Sequence, residues 1–189
     1  DTNTDADDPL PSNSLAPTAY GAVRLPGEAN SYVEIPSRYA HGKQTWSITT
    51  WVRVDGTSDD PLNPYDMKVL SRRVGGGAVN FEIGIDDKRP YVMFDSGTRQ
   101  VKAVSPFEIA TDGQEWTFIG ATFSSQRELL LYVNGQPVAR ESDVSSVPPS
   151  TGVGPVETRI GESFHGIIDE VLMSRYHVDN TGAIRAASA

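Results

Sequence analysis

The sequence contains no cysteine. Thiol nucleophiles, disulfide frameworks and cysteine-ligated zinc are therefore excluded, and the chain carries no mark of its redox compartment. Positive charge is also in short supply: 16 Lys and Arg stand against 25 Asp and Glu, a net charge of −9. A nucleic-acid partner demands a positive surface, so that partner is excluded. No apolar run approaches the roughly 20 residues needed to cross a bilayer as a helix, and no membrane insertion of that kind is expected. Histidine occurs only at positions 41, 165 and 177, and no G-x-S-x-G elbow is present, so a Ser–His triad has no support. Helical periodicity is missing too, apart from "NTGAIRAAS" at 180–188, which predicts one or two turns.

What is present is a single domain's length. The 189 residues can bury a sizeable core without staples. Residues 1–18 are rich in Asp, Pro, Ser, Asn and Thr, too polar to order by themselves, and read as a linker or disordered segment before a domain over 19–189. From residue 20 onward, short β-prone runs alternate with turn residues. The runs are "YGAVRL", "SYVEI", "WSITTWVRV", "MKVLSRRV", "VNFEIGI", "PYVMF", "WTFIGATF", "ELLLYV", "ETRIG" and "GIIDEVLM". Between them lie Gly, Pro, Asn and Asp clusters such as "PGEANS", "DDKRP" and "VPPSTGVGP". This punctuation predicts an all-β, two-sheet antiparallel sandwich or jelly roll. Asn134-Gly135 predicts a tight hairpin, because both residues tolerate positive φ. In "WSITTWVRV" strand parity places Trp46, Ile48, Val52 and Val54 on a core face. Trp51 falls on the other, more polar face, either beneath a loop or offered to a ligand.

The order "SYVEIP", "WSITTWVRV", "DGQEWTFIGATFS", "LLLYVNGQPV", "RIGESFHGIIDEVLMSRY" resembles the concanavalin A-like jelly roll of laminin G-like and pentraxin-like domains. Tyr132-Val133-Asn134-Gly135 and Gly166-Ile167-Ile168-Asp169-Glu170-Val171 are its most specific pieces, and the match runs from about residue 20 to 187. The resemblance implies a sandwich of about twelve to fourteen strands with a short C-terminal helical turn. It also implies a binding module of a larger secreted or cell-surface protein, tethered to other domains and directed at a glycan or an extracellular protein. Several such relatives hold Ca2+, and the resemblance implies Asp169 as one ligand, with Glu28 and Asn30 of "PGEANS" as the others.

Two stretches carry the candidate chemistry. Asp169 and Glu170 sit inside an apolar run, where strand parity sends them to opposite faces, so whichever face is buried carries a carboxylate. An uncompensated buried charge costs several kcal/mol, so a partner is expected: Arg159, Arg175, backbone donors or calcium. The glycosidases of this broad fold use two carboxylates on one strand face. Ile167 stands where the first would be, so no enzyme is expected. The second stretch is "VDGTSDDPLNPYD", residues 54–66. Asp55, Asp59, Asp60, Asn63 and Asp66, with Tyr65, make it a second calcium site, a rim loop that meets a sugar, or a solvated acidic loop. Trp51, Tyr65 and Tyr91 are the candidate rings for stacking on a sugar. A protein-interaction or adhesion module without sugar affinity is the alternative.

Overall fold

A computed structural model describes residues 21–29, 31–35, 45–142, 144–149 and 156–174. The expected linker over 1–18 and the expected helical turn over 180–188 lie outside the described residues. Twelve strands occur among the described residues. They are β1 (Val23–Pro26), β2 (Val33–Ile35), β3 (Trp46–Val54), β4 (Met67–Arg73), β5 (Val79–Asp86) and β6 (Arg89–Asp95). The later six are β7 (Gln100–Val104), β8 (Trp116–Phe123), β9 (Leu129–Val133), β10 (Gln136–Glu141), β11 (Glu157–Ile160) and β12 (His165–Ser174).

The strands form two antiparallel six-stranded sheets, ordered β1-β12-β3-β8-β9-β10 and β2-β11-β4-β5-β6-β7. The all-β sandwich expected from the turn-punctuated runs is the observed architecture. Each of the ten runs contains a strand, and the Asn134-Gly135 turn joins β9 to β10 with φ of 49° and 74°. One strand escapes the sequence pattern. β7, "QVKAV", turns Gln100, Lys102 and Val104 outward and gives the core only Val101 and Ala103. An edge strand with two small inward residues carries little hydrophobic signal.

The main core lies between the sheets. Trp46 on β3 meets Phe81 of the opposite sheet with ring centroids 5.8 Å apart, and Phe94 meets Phe123 edge-on at 5.3 Å. Both contacts fall in the 4.5–7 Å range typical of aromatic pairs. Ile48, Val52 and Val54 complete the inward face of β3, as parity predicts.

The outward face of the first sheet departs from the pattern. It holds a second buried cluster of Trp51, Trp116, Phe118, Tyr132 and Ile167. Trp51 is only 5% exposed and meets Phe118 edge-on at 5.5 Å. Arg53, itself buried, lays its guanidinium 5.7 Å from the centre of the Trp116 ring and sets Nε 3.5 Å from Asp55 Oδ1. The expectation that Trp51 is offered to a ligand is therefore corrected: the ring is framework. Alternation along "WSITTWVRV" suggested a half-wet strand, yet every β3 residue except Thr49 is buried. A strand covered on both faces loses the meaning of its period-two pattern.

β12 runs between β1 and β3. Gly166 makes this possible: its φ is +146°, and a Cβ there would lie 2.0 Å from the Arg53 carbonyl oxygen. Trp51→Ala is expected to cost about 3–5 kcal/mol of stability, the usual range for a large ring removed from a core. Urea unfolding measures it, and a loss under about 1 kcal/mol would place the ring on an open surface instead.

Candidate functional site

The segment 55–66 leaves β3 and enters β4. Its Ser and Asp side chains bond to nearby backbone and close local turns where no ladder is available. Ser58 Oγ accepts from Asp60 N at 3.0 Å, and Asp60 Oδ1 accepts from Leu62 N at 2.9 Å. Ser58 N donates to Pro64 O at 2.8 Å, closing the loop across its width. Three outside anchors fix it to the sandwich. Gly27, past the end of β1, accepts at its carbonyl from Asp59 N at 2.7 Å and Ser58 Oγ at 3.1 Å. The His165 carbonyl takes Asp55 N at 3.0 Å, while His165 Nδ1 donates to Thr57 O at 3.0 Å. Asp87 N, in the β5–β6 turn, donates to Tyr65 O at 3.3 Å. Asp59, Asn63 and Tyr65 are left facing water, and Tyr65 is 50% exposed.

The acids of this loop diverge. Asp60 serves Leu62 N. Asp66 gives Oδ2 to Lys68 Nζ at 3.2 Å and Oδ1 to the Tyr91 hydroxyl at 3.0 Å. No group of three or more His, Asp or Glu side chains among the described residues converges as a metal site. Asp60 and Asp66 are thus committed to holding the loop's shape.

The pairing expected for Asp169 is corrected as well. Val23 lies opposite Ile168 and Pro26 opposite His165, so Glu28, past Pro26, sits at the far end of β1 from Asp169. The separation along the strand is roughly 13 Å or more at about 3.3 Å per residue. These two carboxylates do not fit one ion, and Asn30 lies outside the described residues. The pair Asp169–Glu170 does split between buried and exposed, but through a bulge. Glu170 adopts a φ of +48°, and the ladder with β3 is interrupted between Asp169 and Leu172. Asp169 is 4% exposed, lies opposite Trp51 and accepts Glu170 N at 2.6 Å through Oδ1. Arg159, one expected partner, pairs instead with Glu157 of its own strand and Glu162 of the turn after it, and Arg175 lies outside the described residues.

The outward face of the second sheet is polar. Register places Glu34, Arg159, Ser71, Glu82, Met93 and Lys102 in one row across all six strands. Towards β11, Glu162 accepts Arg73 at 2.9 Å and Arg159 at 3.0 Å, and Arg159 lies 4.1 Å over the Tyr32 ring. Towards β7, Tyr91 lies across Gly84, whose absent Cβ would stand 2.5 Å from the ring. Lys102 Nζ caps that ring at 4.0 Å. The Tyr91 hydroxyl meets Glu82 Oε1 at 2.8 Å as well as Asp66. Burial pushes the Glu82 carboxyl above the usual glutamate range, against the opposing pull of Lys68. Burial, then the Glu82 charge, pushes the Tyr91 phenol well above its ordinary value. Tyr91 is 1% exposed, so the expectation of a sugar-stacking ring there is corrected.

Glu82 and Asp66 flank one hydroxyl, which fills the space a glycosidic oxygen would need. Glu82 and Asp86, four residues apart on β5, are separated by roughly 13 Å, beyond the 5–9.5 Å of paired glycosidase carboxylates.

The loop end of this face has an apolar rim that sequence reasoning missed. Phe107 is 67% exposed and Val104 40%. The segment after β7 is tied to the β5–β6 turn by Ile109 N to Lys88 O at 2.9 Å and Arg89 to Pro106 O at 2.6 Å. Tyr65 and Phe107 thus stand on either side of that turn, across β4 to β7, about 14 Å at 4.8 Å per strand. The lone ring in "SPFEIA" was the available signal, but without β7 it had no place.

A family model matches residues 26–179. The chain belongs to the concanavalin A-like lectin/glucanases superfamily, as a laminin G-like domain. No curated protein is significantly similar to it in sequence. Among solved structures it resembles the CBM40 of Ruminococcus gnavus IT-sialidase bound to α2,3-sialyllactose, with a TM-score of 0.67. Identity is 12%, over 89% of this chain and 96% of that one. Mouse laminin alpha1 domains LG4-5 match with a TM-score of 0.64 and 14% identity, over 90% of this chain and 48% of that one. The binding domain of Paraclostridial Mosquitocidal Protein 1 gives 0.66 and 13%, over 88% and 42%. The laminin G-like domain thus spans less than half the length of the last two, and identities this low show the fold alone.

In this laminin G-like domain the Tyr91 hydroxyl joins two carboxylates across the base of the loop. Tyr91→Phe is expected to cost about 1–3 kcal/mol, the usual penalty for leaving buried acceptors unpaired. Chemical denaturation at fixed pH reads this loss, and an unchanged midpoint would mean the hydroxyl holds nothing.

Proposed function

We propose that this domain is a non-catalytic module that binds carbohydrate at the loop end of the second sheet's outward face, between Tyr65 and Phe107. The observation that carries this is the 55–66 loop, bonded to three elements while Asp59, Asn63 and the Tyr65 ring face solvent. Sugars are held by apolar ring faces together with a few fixed polar groups, and order in the free protein lowers the entropic cost of binding. Two exposed rings flanking a polar floor supply both features. The solved relative carrying sialyllactose supports a sugar for this fold. The longer laminin and toxin chains support a module within a larger secreted or cell-surface protein.

A second reading, a protein-interaction surface, draws on Leu62, which is 85% exposed at the loop tip beside Tyr65. A glycan array run in calcium and in EDTA separates the two. Under the carbohydrate reading, Tyr65→Ala and Phe107→Ala each weaken sugar binding about tenfold or more. Both leave stability within about 0.5 kcal/mol, as exposed substitutions do. Loss of binding in EDTA would reveal calcium assistance. Silence of the parent across neutral and acidic glycans overturns the carbohydrate reading in favour of the protein surface.

A further inference from the structure

Tyr91 Oη lies 2.8 Å from Glu82 Oε1 and 3.0 Å from Asp66 Oδ1. A phenol has one proton to donate. It serves one of these contacts, and the other needs a proton from a carboxyl. Without that proton, two oxygens would face each other at hydrogen-bond distance in a buried site, each leaving a lone pair unmatched.

The surroundings decide which carboxyl holds the proton. Asp66 Oδ2 takes the Lys68 ammonium at 3.2 Å, and its side chain is 34% exposed. Glu82 is 6% exposed and its carboxylate lies in no ion pair among the described residues. We infer that Glu82 is a proton-bearing positioning residue: it donates to Tyr91 Oη, Tyr91 donates to Asp66, and this chain fixes the end of the 55–66 loop. The charged groups around Glu82 are Lys68 and Arg73 of β4 and Asp66 of the loop, while Lys102 of β7 caps the Tyr91 ring. Lys68 and Arg73 oppose retention of the proton, whereas burial, the largest influence, and Asp66 favour it.

The consequence is a loop that loosens as pH rises. Once Glu82 ionises, one hydroxyl faces two carboxylates, Asp66 loses its donor or Glu82 does, and Tyr65 beside Asp66 loses its fixed place. The functional half of this inference rests on the reading that the loop meets the ligand. The protonation half does not. Because the folded chain holds a proton that the unfolded chain releases near pH 4.3, Glu82 favours the folded state less and less above that pH. The unfolding constant rises about tenfold per pH unit until the folded-state midpoint is passed.

Carboxyl 13C and amide 15N NMR of the unliganded domain, from about pH 4 to about pH 9, test this with Glu82→Gln and Tyr91→Phe alongside the parent. The Glu82 side-chain carbon is expected to titrate above the other glutamates, and the Tyr65 and Asp66 amides to shift at the same midpoint. Glu82→Gln keeps a donor that cannot ionise, so it should abolish the amide transition and the associated pH-dependent rise in the unfolding constant. Tyr91→Phe should uncouple the amides from Glu82. Glu82 titrating with the exposed glutamates overturns the inference, and so does an amide transition that survives Glu82→Gln. If either variant fails to fold, the parent titration still decides. No ligand is used, so a silent glycan array with coincident titrations would discard only the carbohydrate reading.

Discussion

β12 runs between β1 and β3, and the position of nearly every other feature follows from that pairing. The strand nearest the described C-terminal end is paired on one side with the first strand, so the first sheet closes only when distant parts of the chain meet. The register sends Ile168 into the main core, sets Asp169 opposite Trp51 and delivers His165 to the 55–66 loop. Gly166 is the local requirement, because any side chain there would strike the Arg53 carbonyl. Contacts of such long sequence separation are slow to form, since the loop between them must be ordered first.

The two sheets divide the work. The first is buried on both faces along its central strands β3 and β8, with the main core on one side and the Trp51–Trp116–Phe118 cluster on the other. The second is apolar inward and charged outward, and its charges are matched in place: Arg73 and Arg159 around Glu162, Lys68 beside Asp66. Partly exposed pairs of this kind contribute little to stability. They do hold long side chains in fixed positions on an otherwise open face, which suits recognition.

Much of this was legible in the sequence. Ten strand-length runs, the Asn134-Gly135 turn and the inward residues of β3 were all visible, because turn chemistry and period-two alternation are local. The 55–66 loop was visible as a cluster of oxygen-bearing side chains. What they do was not, since Asp60 and Asp66 are spent on partners a few residues away or on another strand. β7 and Phe107 were hidden for a related reason: an edge strand with two small inward residues looks like a loop until β6 lies beside it.

By itself, then, the sequence determined the class of fold, the hairpin register at Asn134-Gly135 and the exclusion of thiol chemistry. Composition and local turn preference are enough for each. Only the tertiary structure decided that Trp51 and Tyr91 are buried, that Asp169 and Glu28 lie at opposite ends of β1, and that Glu82, Tyr91 and Asp66 share one hydroxyl. Burial and partnership depend on which strand lies next to which and in what register. That is set by the packing of the whole chain, and no short stretch of residues contains it.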